Sequence, residues 1–162
     1  MRGSEDTTTL TGQNRVVASG FKKVLIASDG SDQATKAFAV AEGLAKAYNA
    51  KLVVLTAVEL AYILPRVSPA ELAAFREYAV GDAKTRVESL ALQSRTDGVD
   101  AKGEVLDKGE SPVKMILEYA EAEGVDLIVV GTRGLGGFSK MLLGSVSSGL
   151  VSHAHCNVLI VR

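Results

Sequence analysis

Five short apolar runs rich in β-branched residues constrain the fold of this chain more than any other feature. They span residues 23–28, 51–58, 99–106, 126–130 and Asn157–Val161, of which 99–106 is the weakest. In the others, apolar side chains follow one another without regular polar alternation, which indicates burial on both faces. Strands buried on both faces are typical of a parallel sheet that lies between two layers of helices.

The segments between these runs carry apolar residues at three- and four-residue steps, which predicts amphipathic helices. The second helix is expected to begin at Ser68-Pro69-Ala70-Glu71 with a capping box, and the third at Ser111-Pro112. A short fourth helix is predicted over 145–154. The expected inward stripes are Ala34, Ala37, Phe38, Ala41, Ala45 and Tyr48, then Leu72, Phe75, Ala79, Ala83, Val87 and Leu90, then Val113, Ile116, Leu117 and Ala120.

The resulting order β-α-β-α-β-α-β-α-β predicts an α/β fold with a doubly wound, five-stranded parallel sheet and helices on both faces. A length of 162 residues suits one domain. Residues 1–20 are rich in Thr, Ser, Gly and charge and are expected to be a flexible leader or tag. The predicted domain is 21–162.

Charge and composition argue against several classes of partner. The net charge of −1 argues against binding to nucleic acid or to an anionic membrane surface. No apolar run approaches the roughly 18 residues of a membrane span, and no secretory signal is recognisable. One cysteine, Cys156, permits no internal disulfide, which fits a reducing compartment, so a cytoplasmic location is expected.

Ligands of doubly wound sheets bind beyond the carboxyl ends of the strands, and the loop after the fourth run carries a glycine-rich stretch, 131–145. Glycines allow backbone N–H groups to approach an anion, and a helix start at Gly144-Ser145 favours phosphate. We expect Ser145 to cap that helix and to donate its hydroxyl to phosphate, with Arg133 and Lys140 supplying positive charge. The alternative is a loop whose glycines only make turns.

The spacing Gly131-x2-Gly134-x9-Gly144-Ser145 resembles the ATP-binding signature of the nucleotide-binding branch of the universal stress protein family. Further blocks of the family are similar to residues 23–31 (KVLIASDGS), 109–112, 125–131 and 153–162, so that the resemblance covers 21–162. It implies a Rossmann-like fold of the adenine nucleotide alpha hydrolase kind, and a homodimer joined through the last strand, Asn157–Val161. Asn157 departs from the family's usual proline.

The resemblance also implies a set of nucleotide contacts. Asp29 would lie near the ribose and adenine edge, and backbone groups of Ala57 would face the adenine. The ligand would be ATP, AMP or another adenine nucleotide. A Mg or Mn ion would be held mainly by the phosphates, and no protein ligand is assigned to it. The residues expected along the phosphates are Gly131, Arg133, Gly134, Gly144, Ser145 and Val146.

The function expected from these features is that of an ATP-binding stress-response or regulatory protein, in which nucleotide occupancy alters conformation or partners. The alternative is a slow ATP hydrolase or nucleotidyl-transfer enzyme, for which Asp29 would act as a base through a water molecule. A scaffold that never binds nucleotide is a third possibility, against which the complete glycine signature argues. Residues 59–67, irregular and containing Pro65, are a candidate flap over the site.

His153, His155 and Cys156 form a small cluster of metal-ligating residue types. Two residues apart on a helix, such side chains do not share a face. The favoured interpretation is a helix end at which histidines complement the negative end of the helix dipole, with Cys156 a small buried residue at the start of the last strand. A metal site built on these three donors is the weaker alternative.

Overall fold

The computed structural model describes residues 20–60, 67–134 and 143–162. Nearly all of the predicted leader (1–19) and most of the candidate flap (61–66) therefore lie outside the described residues. Strands and helices alternate along the chain, as expected from the sequence. They are β1 Lys23–Ala27, α1 Asp32–Tyr48, β2 Lys51–Ala57, α2 Pro69–Thr96, β3 Ala101–Leu106, α3 Pro112–Ala122, β4 Leu127–Gly131, α4 Ser145–His153 and β5 Asn157–Val161.

The five strands form one parallel sheet in the order β3-β2-β1-β4-β5, which confirms the predicted sheet. In its centre Ile26 of β1 lies beside Val54 of β2 on one side and Val129 of β4 on the other. The chain winds from β1 toward β3 in one direction and then from β4 toward β5 in the other. The order therefore reverses between β1 and β4, and a crevice is expected at their carboxyl ends.

Two hydrophobic clusters cover the two faces of the sheet. Ile26 and its alternate neighbours on the other strands pack with α1 and α2, and Leu25 and its alternate neighbours pack with α3 and α4. Because successive strand residues point to opposite faces, unbroken apolar strands fill both clusters at once. None of the helices in the described parts of the chain has both the length and the apolarity of a membrane span.

Serine hydroxyls begin three of the helices. Ser31 accepts from the N–H of Ala34 at α1, and Ser111 accepts from that of Lys114 at α3. At α2 the predicted capping box is confirmed, with Ser68 and Glu71 bonded reciprocally. These hydrogen bonds satisfy N–H groups that have no acceptor inside the helix.

The first half of α2 departs from the predicted buried stripe. Leu72 and Ala79 are half-buried and Phe75 is 42% exposed, and the fully buried stripe begins only at Ala83. The cause is length: 28 helical residues extend about 42 Å, whereas the seven residues of β2 extend about 23 Å. Residues 69–82, here called the projecting half of α2, therefore extend past the carboxyl edge of the sheet.

Because the projecting half has no fully buried residue, we expect it to unfold locally without the core. Ser68→Ala removes its cap, and should accelerate amide hydrogen exchange over residues 71–80 while changing the midpoint of global urea unfolding little.

The hydrogen bonds from the Ser68 side chain and backbone lower the pKa of Glu71. The box is thus intact above the unfolded-state pKa of Glu71 and is lost as pH falls through the folded-state pKa, so low pH should mimic the variant.

Ser111→Ala is the matched control, because α3 packs into the core through Ile116 and Ala120. Its loss of a cap should lower the free energy of unfolding of the whole domain by about 1 kcal/mol. Equal shifts of the global midpoint in the two variants would contradict the independence of the projecting half.

Candidate functional site

A cavity of about 840 Å³ opens at the carboxyl edge of the sheet, at the reversal of strand order between β1 and β4. Its volume lies within the range of small-molecule sites. The ends of β1, β2 and β4 form its floor, and the start of α4 and the projecting half of α2 contribute to its walls.

All eight residues that the sequence indicated as nucleotide contacts line this cavity, although up to 117 positions separate them along the chain (146 − 29). Their individual roles toward a ligand remain predictions. They are Asp29 after β1, Ala57 at the end of β2, Gly131 at the end of β4, Arg133 and Gly134 after it, and Gly144, Ser145 and Val146 at the start of α4.

One carbonyl group joins the two ends of the glycine-rich stretch. The oxygen of Thr132 accepts the N–H of Gly144 at 2.7 Å and lies 3.1 Å from the hydroxyl of Ser147. That hydroxyl is buried and also lies 3.0 Å from the carbonyl oxygen of Gly144, so it shares its one proton between two acceptors. Residues 135–142, which include Lys140, lie outside the described part of the chain.

The start of α4 differs from the prediction in one respect. Gly144, not Ser145, is the N-cap, with extended backbone angles (φ −73°, ψ 168°), and no side chain caps the helix. Ser145 is already the first helical residue, so the prediction that it caps α4 is wrong. The amides of Ser145, Val146 and Ser147 have no acceptor within the helix by position, and they lie at its positive end. Such a terminus favours an anion.

Asp29 lies directly against the glycine-rich stretch. A Cβ placed on Gly134 would collide with the Asp29 carboxylate, so a larger residue at 134 would require the Asp29 side chain to shift. The other carboxylate oxygen accepts the N–H of Ser31 at 3.0 Å, which fixes the side chain in a turn. The next residue, Gly30, has φ +82°, a conformation that favours glycine.

Several cavity residues on α2 were not anticipated as site residues from the sequence. Arg86 pairs with Asp82 at 2.8 Å through one guanidinium nitrogen, while its buried Nε has no acceptor among the described residues. Phe75 and Tyr78 line the same wall. Helical spacing alone places 75, 78, 79, 82, 83 and 86 on one side of α2, but the sequence interpretation assigned that side to the core.

The cluster of His153, His155 and Cys156 lies at the end of α4, away from the cavity wall. A ring nitrogen of His153 lies 2.9 Å from the carbonyl oxygen of Gly149. Cys156 packs against the second hydrophobic cluster, where burial raises the pKa of its thiol. Within the described ranges no three His, Cys, Asp or Glu side chains are grouped to hold a metal ion.

Together, these observations define an α/β protein with a ligand-sized cavity at the switch point of a doubly wound sheet. The chain belongs to the universal stress protein family, whose model matches residues 20–162. It is 40% identical over 144 residues to the Thermus aquaticus universal stress protein in QAH/OAS sulfhydrylase 3'region, covering 88% of this chain and 99% of that protein. Bacillus subtilis YxiE is 35% identical over 150 residues, with 88% and 99% covered.

Solved structures of the family resemble this chain over most of its length. UspA from Lactobacillus plantarum has a TM-score of 0.78 at 28% identity, covering 88% of this chain and 98% of that one. A universal stress protein solved in complex with cAMP has a TM-score of 0.59, also at 28% identity, covering 89% and 98%.

Ser147 should stabilise the junction between β4 and α4. We expect Ser147→Ala to lower the free energy of unfolding by about 1 kcal/mol, because a buried hydroxyl and its two carbonyl partners lose a hydrogen bond. The Thr132 carbonyl keeps the N–H of Gly144, which limits the loss. Urea unfolding followed by circular dichroism measures it.

Ser148→Ala, one residue further along α4, is the control, since the Ser148 side chain is exposed. It should leave stability within about 0.5 kcal/mol of the unaltered chain. A Ser147→Ala variant as stable as Ser148→Ala would show that the buried hydroxyl does not hold the junction.

Proposed function

We propose that this chain binds ATP in the cavity and that occupancy of the site alters its conformation or its partners. The observation that carries the proposal is the meeting of Gly131, Gly134 and Gly144, spaced as in the family's ATP-binding signature, with the uncapped start of α4. Backbone N–H groups near glycines and a positive helix end are the groups that hold phosphates in nucleotide sites.

The arrangement suggests an orientation for the nucleotide. Its phosphates would lie along Gly131, Arg133 and Gly134 and against Gly144, Ser145 and Val146. Asp29, between the ends of β2 and β4, would accept from the ribose hydroxyls, and the backbone of Ala57 would face the adenine. A relative at 28% identity is solved with cAMP, which supports an adenine nucleotide as the class of ligand, with AMP as an alternative to ATP.

A divalent cation would be held mainly by the phosphates. Mg²⁺ and Mn²⁺ prefer oxygen ligands, and phosphate oxygens supply such ligands, so no protein ligand is assigned to the ion. The ion would neutralise part of the phosphate charge.

A regulatory role is preferred to catalysis. Described carboxylates of the cavity wall are Asp29, Glu59 and Asp82, and no histidine is among the described lining residues. Asp29 is also tied to the N–H of Ser31, which suits positioning more than proton transfer. The enzymatic alternative, slow hydrolysis or nucleotidyl transfer with Asp29 as base, predicts phosphate release that Asp29→Asn abolishes without loss of ATP binding.

Gly134→Val and Gly144→Val test the phosphate loop. A side chain at Gly134 collides with the Asp29 carboxylate, whereas one at Gly144 is accommodated at 3.5 Å from its neighbours but adds bulk to the cavity wall. Both should weaken ATP binding at least tenfold in calorimetric titration with magnesium present.

Gly43→Val is the matched control, since Gly43 lies exposed on α1 with no atom within 4 Å of an added Cβ. It should bind ATP as the unaltered chain does. Undiminished binding in both loop variants, with folding checked by circular dichroism, would refute the loop assignment.

We also propose a homodimer joined through β5, an edge strand with apolar side chains. Asn157 donates its N–H to Asp126, and Val161 accepts from Thr132, so these residues face β4. By alternation along a parallel ladder, the N–H groups of Val158 and Ile160 point away from the sheet and are available to a second chain.

Val158→Pro should therefore convert the dimer to a monomer in sedimentation equilibrium at micromolar concentration. Proline removes an outward N–H and leaves the β4–β5 hydrogen bonds in place. Val158→Ala keeps the N–H and should remain dimeric. A monomeric mass for the unaltered chain would refute the proposed dimer.

A further inference from the structure

The projecting half of α2 presents two aromatic rings to the cavity. Phe75 and Tyr78 are three residues apart, so they are neighbours on one helix face, and both line the cavity wall. Phe75 is 42% exposed, and Tyr78, at 74%, is the most exposed of the large apolar and aromatic side chains in the described chain. Large rings in a cavity wall offer flat contact area that the fold itself does not use.

The helix that holds these rings extends beyond the core. Residues 69–82 include no fully buried side chain, yet Ser68 and Glu71 start them with a complete capping box. The ordering of so many residues is therefore poorly offset by burial within the chain. A ligand that covers the rings would supply the missing apolar contact.

The position of the rings selects the part of the ligand. The same cavity is lined by Ala57 and Val58 at the end of β2, and by Gly144 and Ser145 at the start of α4. In the proposed orientation the phosphates occupy the α4 end and the base lies toward β2. The α2 helix packs against β2 and β3, so Phe75 and Tyr78 approach the cavity from the β2 side of the site.

We infer that Phe75 and Tyr78 form a stacking platform for the purine base of the bound nucleotide, an inference that rests on the proposed ATP binding. Planar bases stack on aromatic side chains, and each such contact contributes measurably to affinity. In this role the ring of Tyr78 would contact the base while its hydroxyl stays in water, which suits its 74% exposure. The platform adds a base-binding element from α2 to a site whose other proposed contacts lie at strand ends, in the loops that follow them and at the start of α4.

The test separates the base from the phosphates. Affinities for ATP and for inorganic tripolyphosphate, which lacks the base, are measured by calorimetry with magnesium for Phe75→Ala, Tyr78→Ala and the double variant. ATP affinity should fall about fivefold in each single variant and about twentyfold in the double. Affinity for tripolyphosphate should not change. Phe75→Tyr and Tyr78→Phe keep the rings and should retain ATP affinity.

Leu92→Ala is the matched control, since Leu92 is exposed on the same helix and lies outside the cavity. Its ATP affinity should equal that of the unaltered chain.

A second readout is available because the chain has four tyrosines and no tryptophan, so its intrinsic emission is that of tyrosine. ATP should quench this emission, tripolyphosphate should not, and the quenching should be smaller in Tyr78→Leu.

Each outcome bears on one statement. Unchanged ATP affinity in the ring variants, with normal binding by the unaltered chain, overturns the platform and leaves the proposed function intact. Equal losses for ATP and tripolyphosphate also overturn it, because they indicate a general effect on the site. If the ring variants differ from the unaltered chain in sedimentation mass but not in ATP affinity, the rings form a protein contact and the platform is refuted. Absence of ATP binding by the unaltered chain refutes both proposals.

Discussion

Burial of β1 and β4 on both faces is the constraint on which the rest of this structure depends. Their side chains alternate between two hydrophobic clusters, so each strand must lie in the interior of the sheet with helices above and below. Parallel neighbours need crossover helices, which place every strand's carboxyl end at one edge. The reversal of winding between β1 and β4 then separates the loops at that edge and opens the cavity. The position of the cavity thus follows from the way the helices cover the two faces of the sheet.

Most of the fold was predictable because its signals are local. Unbroken apolar runs such as 126–130 and serine caps such as Ser68 act over a few residues, and strands and helices appear where these patterns lie. The bounds of β5 agree with the prediction. The alternating order of strands and helices was enough to predict a parallel sheet. The sequence also indicated a candidate site at Gly131, Gly134 and Gly144, because these glycines follow a buried strand. Their joint placement around one cavity agrees with that expectation, while their roles toward a ligand remain predictions.

The features that the sequence did not predict depend on the lengths of neighbouring elements, which hydrophobic periodicity does not reveal. The stripe through Phe75 has the spacing of a buried helix face, but burial requires a sheet underneath, and β2 is shorter than α2. The helix therefore passes from core to cavity wall without a change of pattern, and Arg86 and Tyr78 were missed for this reason. Ser145 was assigned as a cap because serine prefers that position, yet Gly144 adopts the extended conformation one residue earlier. Both errors concern where an element ends relative to its neighbours.

The Thr132 carbonyl has a consequence for how this junction tolerates substitution. It accepts from the N–H of Gly144 and lies within hydrogen-bond distance of the Ser147 hydroxyl, so the start of α4 is held close to the end of β4. At position 132 the acceptor belongs to the backbone, which every residue type supplies. Residues of similar size can therefore replace Thr132 over evolution without loss of these contacts, whereas the contact of Ser147 depends on its own side chain. The geometry of the helix start proposed to bind an anion can thus be inherited even where the buried residue beside it changes.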